Sequence, residues 1–385
     1  MLYTGRFIAL LIIGFFSASN IGTFYLFPVF IADHGGSTAD IGYIMGAFSL
    51  ASVLCRPLIS SVINRLGRKK AYVLANVLML LATMTYLLFS GRLENFYLPL
   101  LVVRAVHGVG GGFSLTAGFT YAADIVPSNR MNEGLGIYGC SGLLGFALGP
   151  ALAELIIRQW SFSAFFPAAA ATAAIATLIL LFLPESYAHD RRQAAAPFRA
   201  VLGRPKIWIT ALLVVTLGVG LTATNNFVVL FAQSRGISFA SSYFVAYSGS
   251  AIAARLLGGR VADRVGEARV IPYAMAVCGA GLLLLVFINS VAFLLLAGLI
   301  SGAAHGMLYP CLTTMAVRDE PAVLRAKILG IVTGSIDLGI FAGAIVLGQV
   351  GKYLGFPAIF IIAGMAFFGG LLLIHLRPLK PATSA

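Results

Sequence analysis

The chain has 385 residues, of which 59% are hydrophobic and only 10% are charged, and its formal net charge is +13. A soluble protein has about 25% charged residues, and so few charges cannot cover the apolar surface of a water-soluble fold. The composition therefore excludes a soluble enzyme and predicts an all-α protein that crosses a lipid bilayer many times.

Long apolar runs divide the chain into twelve predicted transmembrane helices. They lie near residues 6–31, 41–62, 71–90, 96–120, 131–157, 161–183, 207–232, 240–262, 270–289, 291–316, 327–351 and 356–376. The first run is longer than the apolar part of a secretory signal and leads directly into further spans. We therefore interpret it as a retained helix.

The distribution of basic residues predicts the orientation. Most Lys and Arg residues fall in alternate loops on the same side as both termini, whereas the opposite loops hold Arg92, Arg158, Arg235 and Lys352. Because basic loops stay in the cytoplasm, both termini are predicted to be cytoplasmic, in a bacterial inner membrane. The net charge then reflects topology, so we expect the lipid bilayer and no nucleic acid as a partner, and a monomer.

The predicted helices form two halves. A polar segment with charges and prolines separates them, which predicts an N-terminal six-helix bundle at 1–184, a cytoplasmic linker at 185–206 and a C-terminal six-helix bundle with a short tail at 207–385. Residues 55–70 align without gaps with 254–269, and His107 falls on His305. Repeated halves that are related by pseudosymmetry are typical of transporters.

Three motifs carry a family resemblance. A loop motif G-x-L-x-D-R-x-G-R-R/K is matched by Asp263, Arg264 and Gly266, and partly by the first copy, where Asn64 replaces the acid and Arg65 and Arg68 fit. A fourth-helix motif R-x-x-x-G-x-G is matched by Arg104, Gly108 and Gly110. A fifth-helix motif G-x8-G-x3-G-P is matched by Gly136, Gly145, Gly149 and Pro150. Together they resemble the major facilitator superfamily, and within it the proton-coupled exporters.

The resemblance implies the twelve-helix fold of that superfamily and alternating access around a central cavity. It also implies a cytoplasmic gate built on the loop motif, with Asp124 at the inner end of the fourth helix as the expected partner of Arg65 or Arg68. The predicted gating residues are Arg56, Asn64, Arg65, Arg68, Asp124, Arg255, Asp263 and Arg264. The alternative for the loop charges is that they only set the topology. For Arg56 and Arg255, which lie inside spans, the alternatives are a structural pair or direct contact with the substrate. We expect the fifth-helix glycines to face the other half and to ease movement.

Ionisable residues inside the predicted spans are the candidates for proton coupling, because a charge in the bilayer is costly and is usually functional. They are Asp337, Arg104, Glu154, His107 and His305. Asp337 is expected near the bilayer midplane, and in the family the fourth-helix arginine is associated with proton coupling. Structural hydrogen bonds and packing remain the alternative roles for each.

Uncharged polar and aromatic residues of the spans are the candidates for a substrate cavity. They are Asn20, Tyr25, Tyr138, Asn225, Asn226 and Tyr309. Such groups suit an amphipathic or weakly charged small molecule.

The resemblance thus implies a proton-coupled exporter of a small organic molecule. No cofactor or metal is expected, because the chain has no phosphate-binding loop motif and no His or Cys residues at metal-ligand spacing. A facilitator or importer of a sugar or carboxylate metabolite remains an alternative, as does a membrane-embedded receptor or enzyme.

Overall fold

A computed structural model describes residues 2–127, 130–186, 201, 204–318, 320 and 322–377, and it describes their side chains except at 57, 60, 132, 259–261, 263, 322, 323 and 326. Within these residues the regular structure is entirely helical. The predicted all-α fold with two six-helix halves is therefore confirmed. Lipid offers no hydrogen bonds to the backbone, and an α-helix satisfies its own.

The helices of the first half are α1 (Gly5–Thr23, continuing through Phe24–Leu26 into Phe27–Asp33), α2 (Thr38–Leu66), α3 (Arg68–Thr85), α4 (Tyr97–Ile125), α5 (Met131–Gln159) and α6 (Phe162–Phe182). Those of the second half are α7 (Pro205–Thr222, continuing through Ala223–Phe227 into Val228–Ser234), α8 (Ser242–Val265), α9 (Glu267–Leu285), α10 (Val291–Val317), α11 (Ala322–Leu354) and α12 (Phe356–Leu376).

Eleven of the helices in the described ranges are long and apolar enough to cross a bilayer. The exception is α8, which is 24 residues long and carries Arg255 within its length. It occupies the same place in the second half as α2 does in the first. We therefore assign it as the twelfth span of the fold.

The chain divides into two compact units, Met1–His189 and Asp190–Ala385. Both units use the same helix pairings. In the first, α1 packs on α5 and α6, α2 on α4, and α3 on α4 and α6; in the second, α7 packs on α11 and α12, α8 on α10, and α9 on α10 and α12. The repeat detected in the sequence is thus a repeat of packing.

Short sequence signals end and begin the helices. Ser37 and Asp40 form a reciprocal capping box at the start of α2. Gly67 separates α2 from α3 with φ 89°, and Gly266 separates α8 from α9 with φ 88°. Residues with a side chain rarely adopt this conformation, so glycine allows the same sharp turn in both halves.

Candidate functional site

Helices α1 and α7 interrupt their regular hydrogen bonding at corresponding places in the two halves. Helix α1 tightens into a 3-10 turn at Phe24–Leu26, and α7 widens into a π turn at Ala223–Phe227. Such turns are frequent at functional sites, and irregular backbone inside a bilayer is tolerated where it is buried in protein or lines a cavity. Tyr25, Asn225 and Asn226, all expected in the cavity, lie within these two turns.

The π turn of α7 contains a buried polar group without a partner. Asn226 is 5% exposed, and its Nδ2 makes no hydrogen bond within the described part of the chain. Its neighbour Asn225 is half-buried. An unpaired buried donor costs about 1–3 kcal/mol, and this donor is available to a ligand. The cavity role of Asn226 stays a prediction.

His107 of α4 lies in a fully buried hydrogen-bond network with Asn20 of α1. Asn20 donates from Nδ2 to the carbonyl oxygen of Ala169 over 2.7 Å, which fixes the orientation of the amide. Asn20 Oδ1 therefore accepts from His107 Nε2 at 3.0 Å. The other ring nitrogen, Nδ1, is left to accept from Arg104 Nη1 at 3.4 Å and from the hydroxyl of Tyr86 at 3.5 Å. Both histidine nitrogens are thus occupied in the neutral form, which favours the structural role for His107 and Asn20.

Arg104, three residues before His107 on α4, is 4% exposed. Its guanidinium carbon lies 5.1, 5.5 and 4.7 Å from the ring centroids of Phe24, Phe27 and Phe48. Its Nη2 contacts Met45 Sδ at 3.4 Å, and its Nε has no partner within the described residues. The structure therefore places a buried cation in an aromatic cage beside the 3-10 turn of α1.

The second half builds a related cluster from different helices. His305 of α10 bonds through Nδ1 to the hydroxyl of Tyr247 from α8. The guanidinium of Arg255, also from α8, lies 6.0 Å from the ring centroid of Tyr309, and its Nε is unpaired within the described part of the chain. Arg255, His305 and Tyr309, three residues that the sequence assigned to separate roles, are thus brought together.

The two carboxylates predicted inside spans differ in burial. Glu154 of α5 is 5% exposed, whereas Asp337 of α11 is half-buried. Asp337 is the eleventh residue of the apolar span Lys327–Leu354, which has 28 residues. Its expected depth near the middle of the bilayer stays a prediction.

The loop between α2 and α3 is tied to the end of α4. Arg68 Nε donates to Asp124 Oδ2 at 3.1 Å, and Arg68 Nη1 donates to Asn64 Oδ1 at 2.9 Å. Of the two partners expected for Asp124, the structure selects Arg68, because Arg65 points outward and is exposed. Arg56 lies half-buried in α2.

Sequence reasoning missed Glu185 in this cluster. Its carboxylate accepts from the backbone N–H groups of Arg68 and Lys69 at the start of α3. An acid is favourable at a helix N-terminus. The only sequence signal is its place directly after α6, and nothing local indicates that the chain returns to α3.

In the second half, an ion pair joins the start of α9 to the end of α10, and the acidic and basic residues have exchanged places relative to the first half. Glu267, the first residue of α9, is paired with Arg318, which follows α10. Arg204 before α7 is paired with Glu320. These pairs were not predicted. Arg264 is exposed, and the side chain of Asp263 lies outside the described residues, so its predicted gating role stays a prediction.

The fifth-helix glycines pack inside the first half. A Cβ on Gly145 would lie 2.5 Å from the carbonyl oxygen of Phe15 on α1, and one on Gly149 would lie 2.8 Å from that of Ser19. Pro150 is buried within α5. No atom lies within 4 Å of a Cβ placed on Gly136. The expectation that these glycines face the other half was wrong for Gly145 and Gly149, because their Cα atoms point at α1.

Tyr138, also expected in the cavity, lies in the core of the first half. It is 5% exposed, and its hydroxyl is 3.2 Å from that of Tyr72 on α3. A side chain on Gly118 of α4 would collide with both hydroxyl groups. The position of Tyr138 therefore favours a packing role.

Comparison with known proteins places these features in a family. The model of the Major Facilitator Superfamily matches residues 8–253 and 239–385. An uncharacterised MFS-type transporter of Escherichia coli is 26% identical over 98% of this chain and 93% of its own length. The staphylopine export protein of Staphylococcus aureus is 24% identical over 95% and 94%. The multidrug resistance protein MdtG of Klebsiella pneumoniae is 25% identical over 90% and 86%.

Solved structures show the same fold at low sequence identity. The nucleoside transporter NupG superposes with a TM-score of 0.75 at 17% identity, over 98% of this chain and all (100%) of its own. A D-xylose–proton symporter superposes with a TM-score of 0.76 at 17% identity, over 98% and 96%. These likenesses support the architecture and leave the substrate open.

Proposed function

We propose that this chain, which belongs to the major facilitator superfamily, exports a small organic molecule in exchange for protons. It is a multi-pass membrane transporter and not an enzyme, as the family match and the fold indicate.

The fifth-helix motif carries the proposal of export. In the sequence this motif resembles that of exporters, and in the structure Gly145 and Gly149 let α5 approach the backbone of α1. Helix α1 contains the 3-10 turn at Phe24–Leu26. The glycines of the motif thus pack against α1, and the interrupted α-helical hydrogen bonding of α1 is a feature of transporter binding sites. Two relatives that align with at least 90% of this chain are named as an export protein and a multidrug resistance protein.

Proton coupling requires a group whose charge changes during the cycle. An arginine keeps its proton, and His107 is bonded through both ring nitrogens. We therefore assign the proton to a carboxylate, and to Asp337 before Glu154, because Asp337 is half-buried and can exchange a proton more readily. Arg104 and His305 are proposed to set the electrostatic environment of the pathway.

The fold alone does not give the direction, since the structural neighbours include a D-xylose–proton symporter. A facilitator or importer remains the second candidate. Transport measured in liposomes with an imposed pH gradient separates the two. If the solute enters the liposomes while protons leave, the two are exchanged, which supports export in the cell. If the solute enters together with protons, or enters at the same rate without a pH gradient, the proposal of export is contradicted.

The same assay tests the role of Asp337. Asp337→Asn fixes the neutral form at nearly the same shape, so it should abolish accumulation against a gradient while leaving substrate counterflow intact. Glu94→Gln removes a carboxylate from an exposed loop residue and serves as the control. Full pH-driven accumulation by Asp337→Asn would move the proton site to Glu154.

A further inference from the structure

Arg104 is a buried charge that no described carboxylate pairs with. Its hydrogen-bond partners are His107 Nδ1, Met45 Sδ and the hydroxyl of Tyr86, all uncharged, and its Nε has none among the described residues. By contrast, Arg68, Arg204 and Arg318 are each paired with a carboxylate. These three lie at the ends of helices, where water could hydrate them more easily than it hydrates Arg104.

The surroundings stabilise the charge without neutralising it. The three aromatic rings attract the guanidinium through their faces, but none of them supplies the negative charge that usually accompanies a buried cation. Inside a bilayer, charged side chains are almost always paired or aimed at a substrate pathway. The unpaired Nε shows that the guanidinium still has donor capacity to offer.

The contacts around Arg104 also hold it in a defined orientation. Asn20 donates to α6 through Ala169 O and accepts from His107 Nε2, so His107 presents its lone pair at Nδ1 to the guanidinium. One edge of the guanidinium is thereby fixed. Phe24 lies in the 3-10 turn of α1 and Phe27 directly after it. Two of the three cage rings therefore belong to the stretch of α1 in which the regular α-helical hydrogen bonding is interrupted.

We propose that Arg104 binds the anionic group of the transported molecule, with Phe24, Phe27 and Phe48 against its apolar part. This inference rests on the proposed transport function and names its substrate class: small organic anions with an aromatic or aliphatic body. A planar guanidinium binds carboxylate, sulfonate or phosphate oxygens through two parallel hydrogen bonds. The displaced cage contacts are replaced by contacts with the body of the substrate. Arg255 is the weaker candidate, because it is half-buried and lies near one ring.

The test uses the purified full-length protein and a matched pair of probes, benzoate and its neutral analogue benzamide. Thermal unfolding is followed at constant pH and ionic strength as each probe is added. Benzoate should raise the unfolding temperature saturably, with a half-saturating concentration at least about tenfold below that of benzamide, because charge-assisted hydrogen bonds are the stronger ones. Acetate should act more weakly than benzoate, since it lacks a body to fill the cage.

Variants show whether the effect passes through Arg104. Arg104→Gln should lose the benzoate response and, without any probe, unfold at a higher temperature than the wild type, because an unpaired buried charge is gone. Arg92→Gln, which removes a highly exposed guanidinium, should keep the full response. Met45→Glu places a carboxylate next to Arg104 Nη2 and should both stabilise the free protein and cancel the response to benzoate.

An equal benzoate shift in Arg104→Gln, or equal action of benzoate and benzamide on the wild type, overturns the proposal. The liposome assay separates this failure from that of the transport function. If the protein moves a neutral or cationic solute with the pH gradient but does not bind benzoate selectively, the proposed transport function is supported and the proposed anion site at Arg104 is wrong. If benzoate binds through Arg104 but the protein moves no solute with the pH gradient, the anion site is supported and the proposed proton-coupled transport is wrong.

Discussion

At the scale of single residues, buried polar side chains of this protein fall into two kinds. Asn76 and Asn20 satisfy their amides within the first half: Asn76 Oδ1 accepts from Ser17 Oγ at 2.8 Å and its Nδ2 donates to Tyr72 O at 3.0 Å. Asn226 and Arg104 each keep a donor without a partner among the described residues. The first kind stabilises the fold, whereas the second carries a cost that a ligand can remove.

Two asparagine substitutions test this distinction. Asn226→Leu should leave the unfolding temperature unchanged or raise it while it impairs transport, because the lost Nδ2 donor has no partner in the part of the chain that the structure describes. Asn76→Leu should lower the free energy of unfolding by about 1–3 kcal/mol, since Ser17 and Tyr72 O then lose a buried partner. Thermal unfolding and liposome transport of both variants provide the measurement. A clear loss of stability in Asn226→Leu would contradict the assignment.

The glycines of α5 provide a second matched pair. Gly145→Ala puts a Cβ against the backbone of α1 and should cost about 1–3 kcal/mol of stability, which is typical of overpacking. Gly136→Ala meets no atom within 4 Å and should be neutral or slightly stabilising. Unfolding in a denaturing detergent series measures both variants. Equal stability of the two would show that α5 and α1 separate more easily than their contacts indicate.

At the scale of elements, each half joins the start of its third helix to the end of its fourth. The first half uses Arg68 on α3 and Asp124 on α4; the second uses Glu267 on α9 and Arg318 after α10. The position is the same and the signs are exchanged. We conclude that the contact between the two helix ends matters more than which end carries the positive charge.

A charge exchange in the first half tests this conclusion. Arg68→Glu and Asp124→Arg should each impair stability alone, and the double variant should recover part of the loss, with a coupling energy of at least about 0.5 kcal/mol. Glu at position 68 would start α3 as Glu267 starts α9, at a helix end that favours an acid. A double-mutant cycle by thermal unfolding gives the coupling. Additive losses would mean that Arg68 acts through Asn64 and the backbone instead.

At the scale of the whole molecule, charge along the sequence predicts the orientation in the membrane. In a background without the four native cysteines, single cysteines at Ala195 and Thr383 should resist a membrane-impermeant thiol reagent in intact cells. Cysteines that replace the exposed Arg92 and Arg235 should react. Permeabilised cells, in which all four positions should react, serve as the control. Labelling of Ala195→Cys in intact cells would contradict the predicted cytoplasmic position of the linker.

The sequence by itself determined the class of protein, the positions of the helices and the repeat of its halves. These follow from hydropathy and from turn residues such as Gly67 and Gly266, which act over a few neighbouring positions. It also marked Tyr25, Asn225 and Asn226 as candidates, because polar groups inside apolar runs stand out. It did not indicate that α1 tightens and α7 widens at these residues.

The tertiary structure decided which partner each of these side chains meets. It paired Asp124 with Arg68 rather than Arg65, turned Gly145 toward α1, and enclosed Arg104 among three phenylalanine rings. The rotation of a helix about its axis decides such contacts, and that rotation is fixed by packing against residues distant in sequence. Hydropathy is summed along the chain and is nearly the same for every rotation of a span, so it locates a transmembrane helix without indicating which of its faces meets a neighbour.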